Sequence, residues 1–457
     1  MKPTKIVNSV FSNFLLNGKD VLQCKCFPEW LPEERILEQK ILDIIRDNFE
    51  KYGFSPIETS AVEKTAMLIA KGSNDREIYT LGRLSNYSGD NDQNLALHFD
   101  LTVPLARYVA QNYSLLNFPF RRYQIQKVWR GERPQSGRYR EFYQCDIDVV
   151  GDKDLPLLVD AEMPSVIYQI FKQMNIGKFM IGVNNRKILQ GYFSFYGLTN
   201  HCINEAMHAI DKLEKVGVDK TRETMAEKGI GADIIDGIIN FAGINKPINE
   251  IMEYLRSCKI DNELFLQGVD ELEQVIGHMA TLGIPQDSYK VNLGIVRGLD
   301  YYTGTIYETT LVDYPEIGSI CSGGRYDNLT SFFGDKKMPG VGISIGLTRL
   351  FSQLLKTGIL KTGPATVAPV LVTSMDKSLM SYYFKIATLL RNSGIKTEVF
   401  FDSKRIGDQL KYASKKGFKF AIIAGNDEVN NDGVQVKNLE TGEQRFSGLD
   451  DICAEVR

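Results

Sequence analysis

The sequence predicts an α+β body interrupted by a run of helices and followed by a small α/β domain. Three observations carry that expectation. Strand-like segments at 122–128 and 141–149 flank a long basic loop, and a glycine-spaced strand at 340–346 runs into a helix. Between about residues 193 and 288 the periodicity is almost wholly helical, with glycines at the turns. Beyond Gly363-Pro364 apolar strands alternate with helices, the pattern of a separate α/β domain. A chain of 457 residues has room for about three domains. The expected division is an N-terminal arm at 1–30, a body at 31–192 and 289–363, a helical insertion at 193–288 and a terminal domain at 365–457.

Each element has a local reason. Pro32, Glu33 and Glu34 open the first helix, with the acids over the positive end of its dipole. Leu37, Ile41, Ile44, Ile45, Phe49 and Tyr52 recur at helical spacing, and Gly53 closes the helix. Phe54-Ser-Pro-Ile57 then starts a strand. After the two long strands, 157–174 is helical, and strands return at 290–296 and 305–311. In the terminal domain 369–373, 396–401, 420–424 and 434–437 read as strands, and 379–391 and 405–416 as helices.

Composition excludes several classes. Lys and Arg total 54 against 57 Asp and Glu, a net charge of −3, so the chain is not a basic nucleic-acid coat. No stretch approaches the roughly 18–20 apolar residues that span a bilayer, so no membrane partner is expected. The seven cysteines are odd in number and scattered, which suits free thiols in a reducing compartment. Cys24 and Cys26 have no second Cys/His pair at ligand spacing, so no structural zinc is expected. Residues 1–19 hold three lysines and no acid but no arginine, so a cytoplasmic protein is expected, with an organellar presequence as the alternative.

Local charge says more than the sum. From residue 121 to 140 seven cations (Arg121, Arg122, Lys127, Arg130, Arg133, Arg138 and Arg140) meet one acid, Glu132. Residues 404–419 hold six cations against Asp408. Both suit polyanions, although a solvated helix face remains open for the second. Trp129-Arg130-Gly131-Glu132 sets a cation and an anion two apart on a strand, hence on one face. Such a pair suits a nucleotide's phosphate and amine, or a plain surface ion pair. Gly340-Val-Gly-Ile-Ser-Ile-Gly-Leu-Thr-Arg349 leaves one sheet face bare, either for a flat ring with a phosphate at Arg349 or for tight helix–sheet packing. It matches neither a Walker loop nor a dinucleotide turn.

In this order the elements resemble a class II aminoacyl-tRNA synthetase. The first helix and the strand with Pro56 look like motif 1, Arg130-x-Glu132 with its loop like motif 2, and the Gly-rich strand ending at Arg349 like motif 3. Asp100-Leu-Thr-Val-Pro-Leu-Ala-Arg107, Arg138-Tyr-Arg-Glu-Phe-Tyr-Gln144 with Asp146-Ile-Asp148, Arg297-Gly-Leu-Asp-Tyr-Tyr-Thr303 and Gly323-Gly-Arg-Tyr-Asp327 are similar to signatures of the histidyl-tRNA synthetase family. The resemblance runs from Pro32 to the C-terminus. The family's Gly-Thr-Arg-Asp-like segment before the first helix is absent, and residues 24–30 stand there instead.

That resemblance implies an antiparallel sheet flanked by helices, a helical insertion and a C-terminal α/β anticodon-binding domain. It also implies a homodimer built through residues 33–57. The implied activity is ATP-dependent activation of histidine to histidyl-adenylate, then transfer to tRNA(His), with Mg²⁺ carried on the ATP. Arg130 and Arg297 would stabilise charge at the α-phosphate. Glu132, Arg138 and Arg349 would join Arg130 in holding ATP. Asp100, Thr102 and Gln144 offer acceptors to the ammonium, while Asp148 and Tyr302 suit the two imidazole nitrogens. Tyr301 and Tyr326 would line the pocket, with Arg297 beside the amino acid. The implied rival is a non-catalytic relative, the regulatory subunit of ATP phosphoribosyltransferase. Such chains usually lose parts of this set, whereas Arg130, Glu132, Arg297 and Arg349 all stand here.

Overall fold

The computed structural model describes residues 24, 26–69, 77–83, 94–132, 137–296, 302–327, 336–402 and 404–457. Packing divides the chain into two units, residues 1–28 with 44–360 and residues 29–43 with 361–457.

Among the described residues the first unit holds ten strands: β1 (Ser55–Pro56), β2 (Val62–Lys64), β3 (Leu95–Leu97), β4 (Phe120–Trp129), β5 (Glu141–Val150), β6 (Phe179–Asn185), β7 (Tyr289–Val291), β8 (Thr305–Leu311), β9 (Ser319–Tyr326) and β10 (Gly340–Gly346). Eight of them form one sheet of order β1-β4-β5-β10-β9-β8-β6-β7, and β2 pairs with β3 in a separate two-stranded sheet. The six central strands of the large sheet pair antiparallel, as expected, and each edge carries a short parallel strand. The alternation of β5 and β10 sends Cys145, Ile147, Val149, Val341, Ile343 and Ile345 to one face, where all are buried. Helices Leu158–Met174 and Leu347–Lys356 pack on β10 and β5.

The first helix spans Pro32–Lys51, and Gly53 follows at φ +74°, a conformation that suits a residue without Cβ. Two expectations need correction. The strand expected at 290–296 ends at Val291, because Asn292 Oδ1 accepts from the Gly294 amide at 3.0 Å and turns the chain. Asn184 Nδ2 then donates to the carbonyls of Leu293 and Ile295 at 3.2 and 2.9 Å, in place of a ladder. The expected start of the helical run at residue 193 falls inside the helix Arg186–Phe195. That helix begins where the Asn185 side chain caps it by accepting from the Lys187 amide at 3.0 Å. The remaining helices of this stretch run from Asn200–Asp211 to Glu263–Thr281.

In the second unit β11 (Val370–Val372), β12 (Thr397–Val399), β13 (Phe420–Ile423), β14 (Gly433–Asn438) and β15 (Gln444–Gly448) form a sheet of order β12-β11-β13-β14-β15. The first three strands are parallel and the rest antiparallel. Val370, Val372, Ile422 and Val436 meet Tyr383, Ile386 and Leu390 of helix Met380–Asn392 on one side. Leu371 clusters with Ala413, from helix Ile406–Lys416, and with Phe418. No described helix is long and apolar enough to cross a membrane.

Candidate active site

The polar face of the first sheet is set by register. Gln124 stands opposite Asp146 and Arg122 opposite Asp148 across β4 and β5; Ser344 and Gly342 of β10 face the same two aspartates from the other side. Side chains two apart share a face, so polar residues at 122, 124, 126, 144, 146 and 148 form one floor. One end of the floor, Gln144, lines a cavity of about 460 Å³, within the range of small-molecule sites. That cavity gathers Asp100, Thr102, Arg130, Glu132, Arg138, Gln144, Tyr302 and Arg349. A smaller space of about 20 Å³, sharing Thr102, Tyr302 and Ser344 with it, is lined by Asp146, Asp148 and Tyr326. Arg297 and Tyr301 lie outside the described residues.

At the deep end Asp148 is engaged on both oxygens. Tyr326 donates its phenol to Oδ1 at 2.8 Å, and Arg122 Nη2 lies 2.5 Å from Oδ2. Burial pushes the Asp148 carboxyl up to about 6 against the pull of Arg122. Asp146 is pushed up to about 7, again mainly by burial, with Arg122 and a hydrogen bond from Ser344 opposing. Gln144 Nε2 donates to Ser344 Oγ at 2.9 Å. Asp100 Oδ1 accepts from the Val103 amide at 3.1 Å, in the first turn of helix Thr102–Asn112.

The spaced glycines of β10 serve a different purpose from the bare surface expected. A Cβ on Gly342 would stand 2.0 Å from Asp148 Oδ1, and one on Gly340 would stand 2.3 Å from the Tyr326 ring. They make room for the protein's own carboxylate and phenol; only beside Gly346 is the space open.

The mouth is cationic. The strand β4 ends at Trp129, so Arg130 and Glu132 do not share a strand face as expected. The Arg130 amide still follows the β4–β5 register and donates to the Arg140 carbonyl at 2.9 Å, but the Gly131 amide donates to the Glu77 carbonyl at 2.7 Å, away from the ladder. Both side chains still reach the cavity. Arg130 Nε donates to the Phe99 carbonyl at 2.9 Å, with its guanidinium 5.2 Å from the Phe142 ring centre. Glu132 is paired with Arg138 at 2.8 Å, and Arg349 donates to the Ile317 carbonyl at 2.6 Å. Arg107 pairs with Glu63 at 2.7 Å.

Sequence reasoning missed Arg122 as part of the floor and gave Asp146, which stands in the signature with Asp148, no role of its own, although their alternation with Gln124 was visible. It also missed Arg186, Asn204, Met207, His208 and Asp211, which line the cavity. The last four come from helix Asn200–Asp211, whose arrival over the sheet has no local signal. Among the described residues no group of three or more His, Cys, Asp or Glu side chains is arranged to hold a metal.

Comparison with known proteins gives the family. Residues 27–350 match the family described as histidyl-tRNA synthetase, and residues 366–457 match the anticodon binding domain. The histidine–tRNA ligase of Clostridium tetani is 45% identical over 439 residues, covering 95% of this chain and 98% of that protein. That of Nostoc punctiforme is 44% identical, covering 94% and 96%. The crystal structure of histidyl-tRNA synthetase from Nostoc sp. PCC 7120 superposes with a TM-score of 0.87 at 44% identity, covering 96% of this chain and 99% of that one. With a Glu/Arg-lined mouth, an acidic floor and both domain matches in sequence order, the chain belongs to the histidyl-tRNA synthetase family.

Proposed function

We propose that the protein is a histidine–tRNA ligase that joins histidine to ATP as histidyl-adenylate and passes the histidyl group to the 3′ end of tRNA(His). The observation that carries this reading is the polarity of two adjoining spaces, the smaller lined by the buried Asp146 and Asp148 and the larger by Asp100 and the arginines at 130, 138 and 349. Activation brings two anions together, because the histidine carboxylate attacks the α-phosphorus. Fixed cations and orientation are therefore the main requirement. Arg130, held by Phe99 O and Phe142, is pre-positioned to meet the α-phosphate and the carboxylate. Arg297 would join it there. Glu132, Arg138 and Arg349 would take the rest of ATP, which enters as its magnesium complex; the Glu132–Arg138 pair must open or share its bonds with the nucleotide.

Gln144 and Asp100, with Thr102, would accept from the ammonium. The buried Gln144 Oε1 makes no hydrogen bond among the described residues, which supports that role. Asp148 and Tyr302 would recognise the imidazole, with Tyr326 and Tyr301 beside them. A pocket built on such bonds rejects analogues lacking them by about 10⁴–10⁵. The terminal unit would read the anticodon, and the loop at 133–140 would meet the acceptor stem. A cytoplasmic homodimer joined through residues 33–57 completes the reading. Sedimentation of an active monomer at micromolar concentration would overturn the dimer.

The decisive experiment is ATP–pyrophosphate exchange with purified protein. Exchange that depends on histidine, and on no other amino acid, is expected. Its absence in folded protein would sink the reading in favour of a non-catalytic relative.

A further inference from the structure

Asp146 has no role in the assignments above, yet it sits in the middle of the floor. It is 3% exposed, it lines the small space shared with Thr102, Asp148, Tyr302 and Tyr326, and among the described residues its Oδ1 makes no hydrogen bond. A buried carboxylate oxygen without a donor is costly, and such groups are retained where a ligand completes them. Its neighbours point the same way. Asp148 already accepts from Tyr326 and faces Arg122. Ser344 occupies only part of the Asp146 carboxylate, and Gln124 Nε2 is spent on Thr59 Oγ1 at 2.9 Å and Gln126 Oε1 at 2.6 Å. Two open acceptors therefore remain on β5, Gln144 Oε1 and Asp146 Oδ1. They are two residues apart and so on one face of the strand, where the ammonium and the ring of one histidine can each meet one of them.

We propose that Asp146 is a specificity-determining residue, a second carboxylate that accepts a ring N–H of the bound histidine beside Asp148. The charge balance suits it. Asp100, Asp146 and Asp148 share the single buried cation Arg122 among the described floor residues, so a donor-rich, positively charged side of a ligand is favoured there and would draw Asp146 into its ionised form. An amino acid with an apolar side chain of similar size would leave Asp146 Oδ1 buried and unmatched.

This inference rests on the proposed ligase activity, and the test separates the two. Wild-type protein must first show histidine-dependent exchange; if it does not, the activity reading fails rather than this one. Asp146→Asn keeps the volume and removes the charge and one acceptor. It should raise the KM for histidine by about 10²-fold with the KM for ATP nearly unchanged. A merely structural role would move both, or lower the melting temperature. Histamine, which lacks the carboxylate, and 3-(imidazol-4-yl)propionate, which lacks the ammonium, serve as competitive inhibitors of exchange. The variant should weaken both by similar factors, since each keeps the ring. A loss confined to histidine and histamine would place Asp146 on the ammonium and overturn the proposal, as would an unchanged histidine KM. Should Asp146→Asn fold poorly, Asp146→Ser is read by the same inhibitor ratio.

Discussion

Replacing Asp160 by asparagine removes the charge from a pair that fastens β9 to the helix beneath it. Arg325 reaches Asp160 through Nε, at 3.0 and 3.2 Å from the two carboxylate oxygens, and through Nη2 at 2.5 Å from Oδ2. Nη2 also donates to the Leu155 carbonyl at 3.0 Å. Asp160 is 0% exposed and Arg325 6%. Burial raises the Asp160 carboxyl while the guanidinium opposes it, so the pair stands by mutual compensation. In the variant a buried guanidinium faces a neutral amide, at a cost of about 3–5 kcal/mol. A unit of about 345 residues has an unfolding entropy of about 0.7 kcal/mol/K, so its transition should fall by about 4–7 °C. Scanning calorimetry, fitted with separate transitions for the two units, measures this. Arg325→Met alone should also destabilise, and the double variant should recover much of the loss. Because the Thr303 amide donates to the Arg325 carbonyl at 2.8 Å, the histidine KM should rise with Asp160→Asn. A transition lowered by less than about 2 °C, or single effects that simply add, would refute the reasoning.

Gly342→Ala would drive a Cβ to 2.0 Å from Asp148 Oδ1 and 2.8 Å from the Ile147 carbonyl. Displacing that carboxylate should raise the histidine KM by about 10–10²-fold and spare the ATP KM; unchanged kinetics would mean that Asp148 does not touch the substrate. Arg297→Ala should slow single-turnover adenylate formation by about 10²–10⁴ with small effects on substrate binding, because the lost interaction strengthens in the transition state. A near-normal rate would leave Arg130 alone at the α-phosphate. Alanine at Lys404, Arg405, Lys411 and Lys415, all exposed, should raise the tRNA KM and flatten its salt dependence while exchange stays intact. A tRNA KM equal to wild type would remove this island from the RNA interface. The folded-state carboxyl of Asp146, pushed up to about 7, stays protonated where the unfolded chain has already ionised. Stability of the ligand-free protein should therefore fall as pH rises from about 4 to 7, by a few kcal/mol from this group. Asp146→Asn should flatten that slope, and parallel curves for the two proteins would exclude it.

The chain by itself determined those elements whose signal is local. The first helix is bounded by Pro32 and Gly53, and the long strands β4 and β5 came out within two residues of their reading, because period and end residues are properties of neighbours in sequence. The motif residues at the mouth and floor were legible for a different reason, as signatures resembling a family. What sequence could not supply was partnership. A strand continuing past Val291 looked as good as a turn until Asn184, more than a hundred residues earlier, claimed the carbonyls of Leu293 and Ile295. The Asn292 side chain then holds the turn through the Gly294 amide. In the same way Arg122 read as one cation in a basic island, and only the β4–β5 register set it against Asp148 and made it part of the floor. The glycines of β10 read as an open platform, and only the fold brought the Tyr326 ring and the Asp148 carboxylate into the space they leave. His208 and Asp211 stood in a helix without chemical punctuation until packing carried that helix over the sheet. Burial, charge pairing and pKa arise from groups distant in sequence that share one low-dielectric space, so they were decided by tertiary structure alone.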